Sequence, residues 1–183
     1  MTRSILIALL SFFAFGLQAQ FAVDNANSVL TLDGTSNVHD WTENAEQIDG
    51  TMTLVKEGTA IQSISSLSVT VPVSGLKSGK SAMDKNTFKA LKGKDHPNIL
   101  FNLKSAKIEG QTIVFIGTLQ VAGSTKKVTI QSTYSISNAA ISIKGKYACK
   151  MTDFGVEPPT ALLGTMKTGD DITINFDIVF TKN

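Results

Sequence analysis

The residues best suited to chemistry form the segment His39-Asp40-Trp41. An imidazole beside a carboxylate could act as a general base, and the only tryptophan of the chain could orient the polar headgroup of a ligand. The sequence offers no nucleophile or oxyanion hole that would complete a catalytic mechanism. Two interpretations therefore stay open: a structural cluster that closes a hairpin, or headgroup contacts from His39 and Trp41.

The remaining reactive side chains are few. Cys149 is the only cysteine, so no intrachain disulfide can form, and its position in an apolar strand is typical of an inert small hydrophobic residue. His39 and His96 have no second histidine or cysteine at ligand spacing, and His96-Pro97 predicts a turn into the next strand. We predict no catalytic residue, no metal site and no cofactor.

One string imitates a phosphate-binding loop. Gly79-Lys80-Ser81 has the ending of that motif, but the first glycine would have to stand at position 74, which is Ser74. The motif also needs a preceding strand of a parallel sheet, and the surrounding pattern predicts antiparallel strands. We therefore interpret this string as a chance match.

The elements that must position these residues show the period of β-strands. Ile172, Ile174 and Phe176 fall on one face of the last segment, whereas Thr173 and Asn175 fall on the other. Short turns rich in Gly, Asn and Asp separate the segments. The predicted strands are Ser28–Asp33, Gly50–Val55, Ile64–Val73, Ile99–Lys107, Thr112–Val121, Lys127–Ser135, Ala140–Lys150 and Asp171–Thr181, with Phe21–Asp24 as a ninth candidate. We predict an all-β fold, an antiparallel eight-stranded lipocalin-like barrel.

A short helix interrupts the strands over Ser81–Lys92. Ser81 and Asp84 are candidate N-cap residues, and Gly93 is a candidate C-terminal stop. Thr87, Phe88 and Leu91 share one helical stripe. We expect this insertion to lie near one mouth of the barrel.

Lysines are concentrated around the predicted helix: Lys77, Lys80, Lys85, Lys89, Lys92 and Lys94. A basic cap could attract an anionic headgroup or a membrane surface, or it could be a solvated helix face. Peripheral membrane contact and a homodimer are both left open. The net charge of the whole chain is only +2, which gives no electrostatic reason to expect a nucleic-acid partner.

The N-terminus has the pattern of a secretory signal peptide. Arg3 precedes an apolar run from Ile5 to Leu17, and Ala19 provides a small residue for cleavage. The run is shorter than the roughly twenty residues that span a bilayer. We predict a signal peptide over residues 1–19, cleavage after Ala19, one domain over residues 20–183, and a periplasmic or secreted location.

A barrel of this size encloses a lumen that is filled by side chains or holds one slender ligand. Gly117, Ser132 and Gly145 stand at mid-strand positions of the apolar faces and favour a slot, although small barrels also need such residues for taper and bends. The predicted lumen residues are Val71, Phe88, Leu91, Ile99, Phe101, Phe115, Gly117, Leu119, Ile130, Tyr134, Met151, Phe154, Leu163, Met166, Ile174 and Phe176.

Four blocks of the sequence resemble the YceI-like, polyisoprenoid-binding family. They are Lys92–Phe101, with its His-Pro turn; Gly117–Val128, similar to the family's Gly-x-Leu-x-Val-x-Gly hairpin; Thr152–Val156, with Asp-Phe-Gly; and Gly169–Ile174. The N-terminal third departs from the pattern, since Asn27 stands where the family usually has a histidine. The resemblance implies a periplasmic, lipocalin-like eight-stranded barrel that holds a long isoprenoid or fatty chain in its lumen without a catalytic step.

Two other functions compete with this expectation. An enzyme acting on a lipid or quinone would depend on the His39-Asp40 cluster, with Cys149 as the other reactive group. A small outer-membrane barrel would also have alternating strands, but with its apolar face towards lipid. The main prediction is a protein that binds an amphiphilic lipid or isoprenoid. It would hold a long apolar chain, namely a polyisoprenoid, a quinone tail, or a fatty acid or amide, in the barrel lumen as a carrier, store or stress-response factor.

Overall fold

The computed structural model describes residues 18–161 and 164–182, so most of the predicted signal segment and the predicted lumen residue Leu163 lie outside the described residues. Its elements are β1 (Ala19–Val23), β2 (Val29–Ser36), β3 (Trp41–Ala45), β4 (Asp49–Glu57), β5 (Ala60–Pro72), β6 (Leu76–Lys77), α1 (Ser81–Ala90), β7 (Asn98–Glu109), β8 (Thr112–Val121), β9 (Ser124–Ser137), β10 (Ala140–Lys150), β11 (Thr160–Ala161) and β12 (Met166–Lys182). Short 3₁₀ turns lie at Asn25–Asn27, Val73–Gly75 and Met151–Phe154.

The sheet closes into a barrel because β1, at one end of the strand order, pairs with β12. Antiparallel neighbours follow the order β4, β5, β7, β8, β9, β10 and β12, and β12 then pairs with both β1 and β2. β1 also pairs with β4, and β2 pairs with β3. Because β1 with β2, and β3 with β4, each act as one interrupted strand, the barrel has eight antiparallel strands. The predicted fold class is confirmed.

Apolar side chains point into this barrel and pack tightly at one end. Phe21, Met52, Leu54, Ile113 and Phe180 are at most 2% exposed. The opposite face of β9 is polar throughout, as alternation predicts, whereas that of β8 also holds Val114 and Ile116. One end of the barrel is therefore closed by its own core, and the apolar inside is the reverse of the arrangement that an outer-membrane barrel needs.

At the other end the wall is irregular. β12 shifts register against β2 between Thr168 and Ile172, since three residues of β12 there face one residue of β2. Such a bulge bends a strand away from its neighbour. The helix α1 and the 3₁₀ turn Met151–Phe154 also lie at this end, which makes it the candidate mouth.

The helix forms where the sequence predicted it, but with a different face towards the barrel. Phe88 is 37% exposed and lies on Gly93, where an added Cβ would come within 2.4 Å of its ring. The predicted lumen position of Phe88 is therefore wrong. Gly93 makes room for this ring, whereas Lys92 adopts the positive φ of 52° that ends the helix.

Candidate ligand-binding lumen

The inner part of the lumen is a small apolar chamber of about 130 Å³. Its wall comes from almost every strand of the barrel: Leu30, Leu32, Leu67, Val69, Val71, Leu76, Ile99, Phe101, Phe115, Leu119, Ile130, Ile143, Tyr147, Ile174, Phe176, Ile178 and Phe180. Tyr147 is the only member with a polar group. A dry cavity of this character accepts apolar atoms rather than water.

The outer part is larger, about 380 Å³, and lies at the mouth under α1. Met83, Asn86, Thr87 and Ala90 contribute the helix face, at the spacing of one helical stripe. Other strands and the 3₁₀ turn supply Leu32, Trp41, Glu43, Leu119, Val121, Cys149, Met151, Phe154, Val156, Met166, Ile172 and Ile174. Ser36, His39, Lys80 and Lys167 add polar groups to this wall.

Leu32, Leu119 and Ile174 line both chambers. They therefore mark the throat at which the outer chamber passes into the inner one. Since the far end of the barrel is packed, the lumen has the form of a blind apolar tunnel that opens beside α1. The outer chamber alone falls within the size range of small-molecule pockets, roughly 300–1,000 Å³.

The glycines on the inner face make room for aromatic rings. A Cβ on Gly117 would lie 2.6 Å from the ring of Phe101, and one on Gly145 would lie 2.7 Å from Phe176 and 2.8 Å from Ser132 Oγ. Rings from neighbouring strands thus occupy the gaps that were expected to form a slot. The open space instead lies between these rings and α1.

The structure brings most predicted lumen residues to the two chambers. Val71, Ile99, Phe101, Phe115, Leu119, Ile130, Ile174 and Phe176 line the inner chamber, and Leu91, Met151, Phe154 and Met166 join the outer one. Gly117 is buried beneath Phe101, and Tyr134 lies in the packed core, where its hydroxyl accepts a hydrogen bond from Ile61 N at 3.0 Å. These two residues and Phe88 line neither chamber.

Sequence reasoning missed residues of two kinds. Ile178 and Phe180 continue the alternation of Ile174 and Phe176 in β12, and Leu30, Leu32 and Ile143 lie on the apolar face of their own strands, so the period-2 pattern contained the signal. Glu43 carries no such signal, because a polar residue in a short segment does not indicate an inward-facing position. It lies in β3, a strand that was not predicted.

His39 and Trp41 both line the outer chamber, as does Glu43 between β3 and α1. The Trp41 indole lies on Gly34, where a Cβ would come within 2.2 Å of the ring, and its Nε1–H donates to Thr35 O at 2.9 Å. His39 is exposed, and its Nδ1 lies 2.7 Å from the backbone oxygen of Asp40. The imidazole therefore contacts the main chain of its neighbour.

The reactive groups do not form a catalytic arrangement in the part of the chain that the structure describes. Burial, with smaller contributions from Asp153 and Asp170, raises the pKa of the Cys149 thiol to about 11, so that the thiol stays protonated at neutral pH. No hydrogen bond between Cys149 and His39 is found among the described residues. In residues 18–161 and 164–182 no three His, Cys, Asp or Glu side chains converge to hold a metal ion.

Glu43 has the most unusual environment. Its side chain is fully buried, Thr87 Oγ1 donates a hydrogen bond to Oε1 at 2.5 Å, and Oε2 has no hydrogen-bond partner. Burial is the main cause that raises the pKa of this carboxyl, Asp84 raises it further, and Thr87 and Lys77 act in the opposite direction. A protonatable group thus faces α1 at the mouth.

A comparison with family models matches residues 21–180 to the YceI-like domain. This chain belongs to the YceI-like family. Solved structures agree with the fold. BcnA from Burkholderia cenocepacia superposes with a TM-score of 0.73 at 17% identity, covering 86% of this chain and 98% of that one.

Two further solved structures have similar folds. A polyisoprenoid binding domain from Saccharophagus degradans gives a TM-score of 0.70 at 11% identity, covering 89% of this chain and 98% of that one. A YceI protein from Campylobacter jejuni, a mutant with a monobromobimane guest, gives 0.63 at 18% identity, covering 77% and 84%. Curated proteins give no significant match. No helix within the described residues is long and apolar enough to cross a membrane.

Proposed function

We propose that this member of the YceI-like family binds one long apolar chain, such as a polyisoprenoid, a quinone tail or a fatty chain, in the barrel lumen. The observation that carries the proposal is the blind apolar tunnel beneath α1. Its inner chamber admits only the end of a chain, and its outer chamber has room for thicker segments near the mouth. The polyisoprenoid binding domain among the similar structures supports the same ligand class.

The energetics favour a long tail. Burying fifteen carbons at about 0.8 kcal/mol each gives about 12 kcal/mol. Association costs about 4 to 15 kcal/mol, and each carbon removed from the tail lowers the gain by about 0.8 kcal/mol, so a long tail binds more tightly than a short one. Met83, Met151 and Met166 in the outer chamber suit tails of different shape, because the unbranched thioether side chain adapts readily.

The role that we propose is that of a carrier, store or stress-response factor rather than an enzyme. A carrier needs an apolar enclosure and an opening, and the tunnel offers both. The protonated Cys149 and the main-chain contact of His39 give no support to a reaction on a lipid or quinone.

The decisive experiment is native mass spectrometry of the purified protein, before and after extraction with organic solvent. We expect a 1:1 complex whose extra mass is released as a long-chain lipid, and expect extracted protein to take up an added C15 isoprenoid alcohol. Leu119→Trp, at the throat, should weaken this uptake, whereas Thr118→Trp on the outer face of β8 should not. A protein that is empty as purified and that refuses every added chain would overturn the proposal.

We also propose that residues 1–19 direct export to the periplasm or outside the cell. The support is the sequence pattern around Arg3 and Ala19. Intact-mass measurement of the exported protein should give a chain that begins at Gln20, whereas retention of Met1 would contradict this. Contact with a membrane surface through exposed lysines such as Lys85 and Lys89 stays a prediction, testable by sedimentation with anionic vesicles.

A further inference from the structure

Glu43 stands out among the residues that line the lumen. Among the described residues it is the only buried side chain of the types Asp, Glu, Lys, Arg and His. It projects inward from β3 opposite Leu32, whose side chain lies at the throat. A carboxyl group placed there costs stability in an otherwise apolar wall unless it has a partner.

Only one of the two carboxyl oxygens of Glu43 has a hydrogen-bond partner. Thr87 Oγ1 from α1 satisfies Oε1, while Oε2 is buried without a hydrogen bond. Buried polar atoms in proteins are nearly always paired, and an exception at the wall of a cavity indicates a partner that enters the cavity. Met83 and Leu91 of the same chamber have no donor, and Lys80 and Asn86, which have one, make no hydrogen bond to Oε2.

We propose that Glu43 is the headgroup-binding residue of the lumen, and that it selects a neutral headgroup which both donates and accepts a hydrogen bond, namely an alcohol or a primary amide. The proposal rests on the proposed function, because the headgroup belongs to the chain in the tunnel. It names the chemical class of the ligand's polar end.

The charges around Glu43 favour this class over an anion. When Glu43 is ionised, the O–H of an alcohol or the N–H of an amide can donate a hydrogen bond to Oε2. When Glu43 is protonated, the alcohol oxygen or the amide carbonyl oxygen can accept a hydrogen bond from it. A carboxylate or phosphate would meet repulsion from an ionised Glu43 and from nearby Asp84. Lys77, Lys80 and Lys167 are the cations near this part of the molecule, so preference for an anion is the competing outcome.

The headgroup reaches Oε2 by a small outward shift of α1. Glu43 is fully covered in the structure, and Thr87 ties the helix to it. No residue of α1 itself is buried, so moving the helix exposes little core. Asp84 Oδ1 accepts from Ser78 N at 2.9 Å and from Ser78 Oγ at 2.6 Å, which holds the N-terminal turn of α1 as the helix moves.

The test compares headgroups on one chain. The exported protein, after extraction, is titrated calorimetrically with hexadecan-1-ol, hexadecanamide, 1-methoxyhexadecane, hexadecanoate and hexadecyl phosphate. We expect the alcohol and the amide to bind about tenfold more tightly than the methyl ether, which cannot donate, and than the two anions, since one net hydrogen bond is worth about that factor. Tighter binding of either anion would overturn the proposal.

Variants then assign the preference to Glu43. Glu43→Leu should bind the alcohol, amide and methyl ether with equal affinity, whereas Glu43→Gln, which still donates and accepts, should keep the alcohol and lose the discrimination against hexadecanoate. The matched control is Glu46→Gln, at an exposed position three residues on, which should behave as wild type.

The outcomes separate this inference from the proposed function. If no chain binds to the wild type, both fail. If all chains bind equally well, or if Glu43→Leu keeps the full alcohol preference, the headgroup assignment fails while the apolar tunnel stands. Thermal unfolding of each variant shows that the protein titrated is folded, and Glu43→Gln carries the test if Glu43→Leu is unstable.

Discussion

Blocking the throat of the lumen should shorten the chain that the protein can hold. Leu119 is 6% exposed and lines both chambers, so the indole of Leu119→Trp would project between Leu32 and Ile174 and close the inner chamber. A cavity of about 150 Å³ holds one benzene ring, so the inner chamber of about 130 Å³ holds about five carbons. At about 0.8 kcal/mol per carbon its loss removes about 4 kcal/mol of binding energy, a factor of about 10³.

Calorimetric titration with linear alcohols of about ten to eighteen carbons, which bracket the fifteen-carbon tail of the binding estimate, measures this effect. Wild-type affinity should rise with chain length, and the rise in Leu119→Trp should stop about five carbons earlier, while the control Thr118→Trp on the outer face of β8 follows wild type. The added bulk should cost about 1 to 3 kcal/mol of folding stability. An identical dependence on chain length in wild type and Leu119→Trp would refute the assignment of the tunnel.

Three further predictions concern the wall itself. Gly117→Ala should lose about 1 to 3 kcal/mol in urea unfolding, because its Cβ would lie 2.6 Å from the Phe101 ring; Gly75→Ala, with no atom nearer than 3.8 Å, is the control and should change little. Cys149, with a pKa of about 11 against an ordinary 9.0, should react with iodoacetamide at pH 8 about a hundredfold more slowly than a free thiol, and equal rates would contradict the burial. The pKa of the Glu43 carboxyl is raised above 4.5 in the folded protein. The difference in unfolding free energy between wild type and Glu43→Gln should therefore fall as the pH rises from 4.5 through the folded-state pKa. A difference that does not change with pH would show that the carboxyl is not buried.

The barrel could be predicted because its strands repeat one simple pattern. Residues 172–180 alternate through the whole length of a wall, and β8 and β10 begin and end where the alternation predicted. Closure of the barrel follows from the same pattern, since every strand has one apolar face to bury.

β3 was not predicted, because Trp41–Ala45 is short and polar. Its inward positions hold Trp41 and Glu43, and only pairing with β2 shows which side chains face the lumen. The site at the mouth therefore depends on tertiary register, which no local pattern of polar residues specifies.

The small residues on the inner face show a second limit of the sequence. Gly117 and Gly145 predicted empty space, yet Phe101 and Phe176 from neighbouring strands fill it. Phe88 fitted the apolar stripe of the helix, yet it lies on Gly93 outside the chambers. Both outcomes depend on which ring of an adjacent element is near enough to pack, and periodicity along one strand or helix contains no such information.

The most direct test of the central claim is isotope-filtered NMR of the extracted, ¹³C-labelled protein with one equivalent of unlabelled hexadecan-1-ol. The account predicts contacts from the terminal methyl group to Leu67, Phe115 and Ile143 in the inner chamber, and from the carbon that bears the hydroxyl to Thr87 and Met83 on α1. Contacts limited to outward-facing residues, or a chain that enters with its hydroxyl end first, would contradict it.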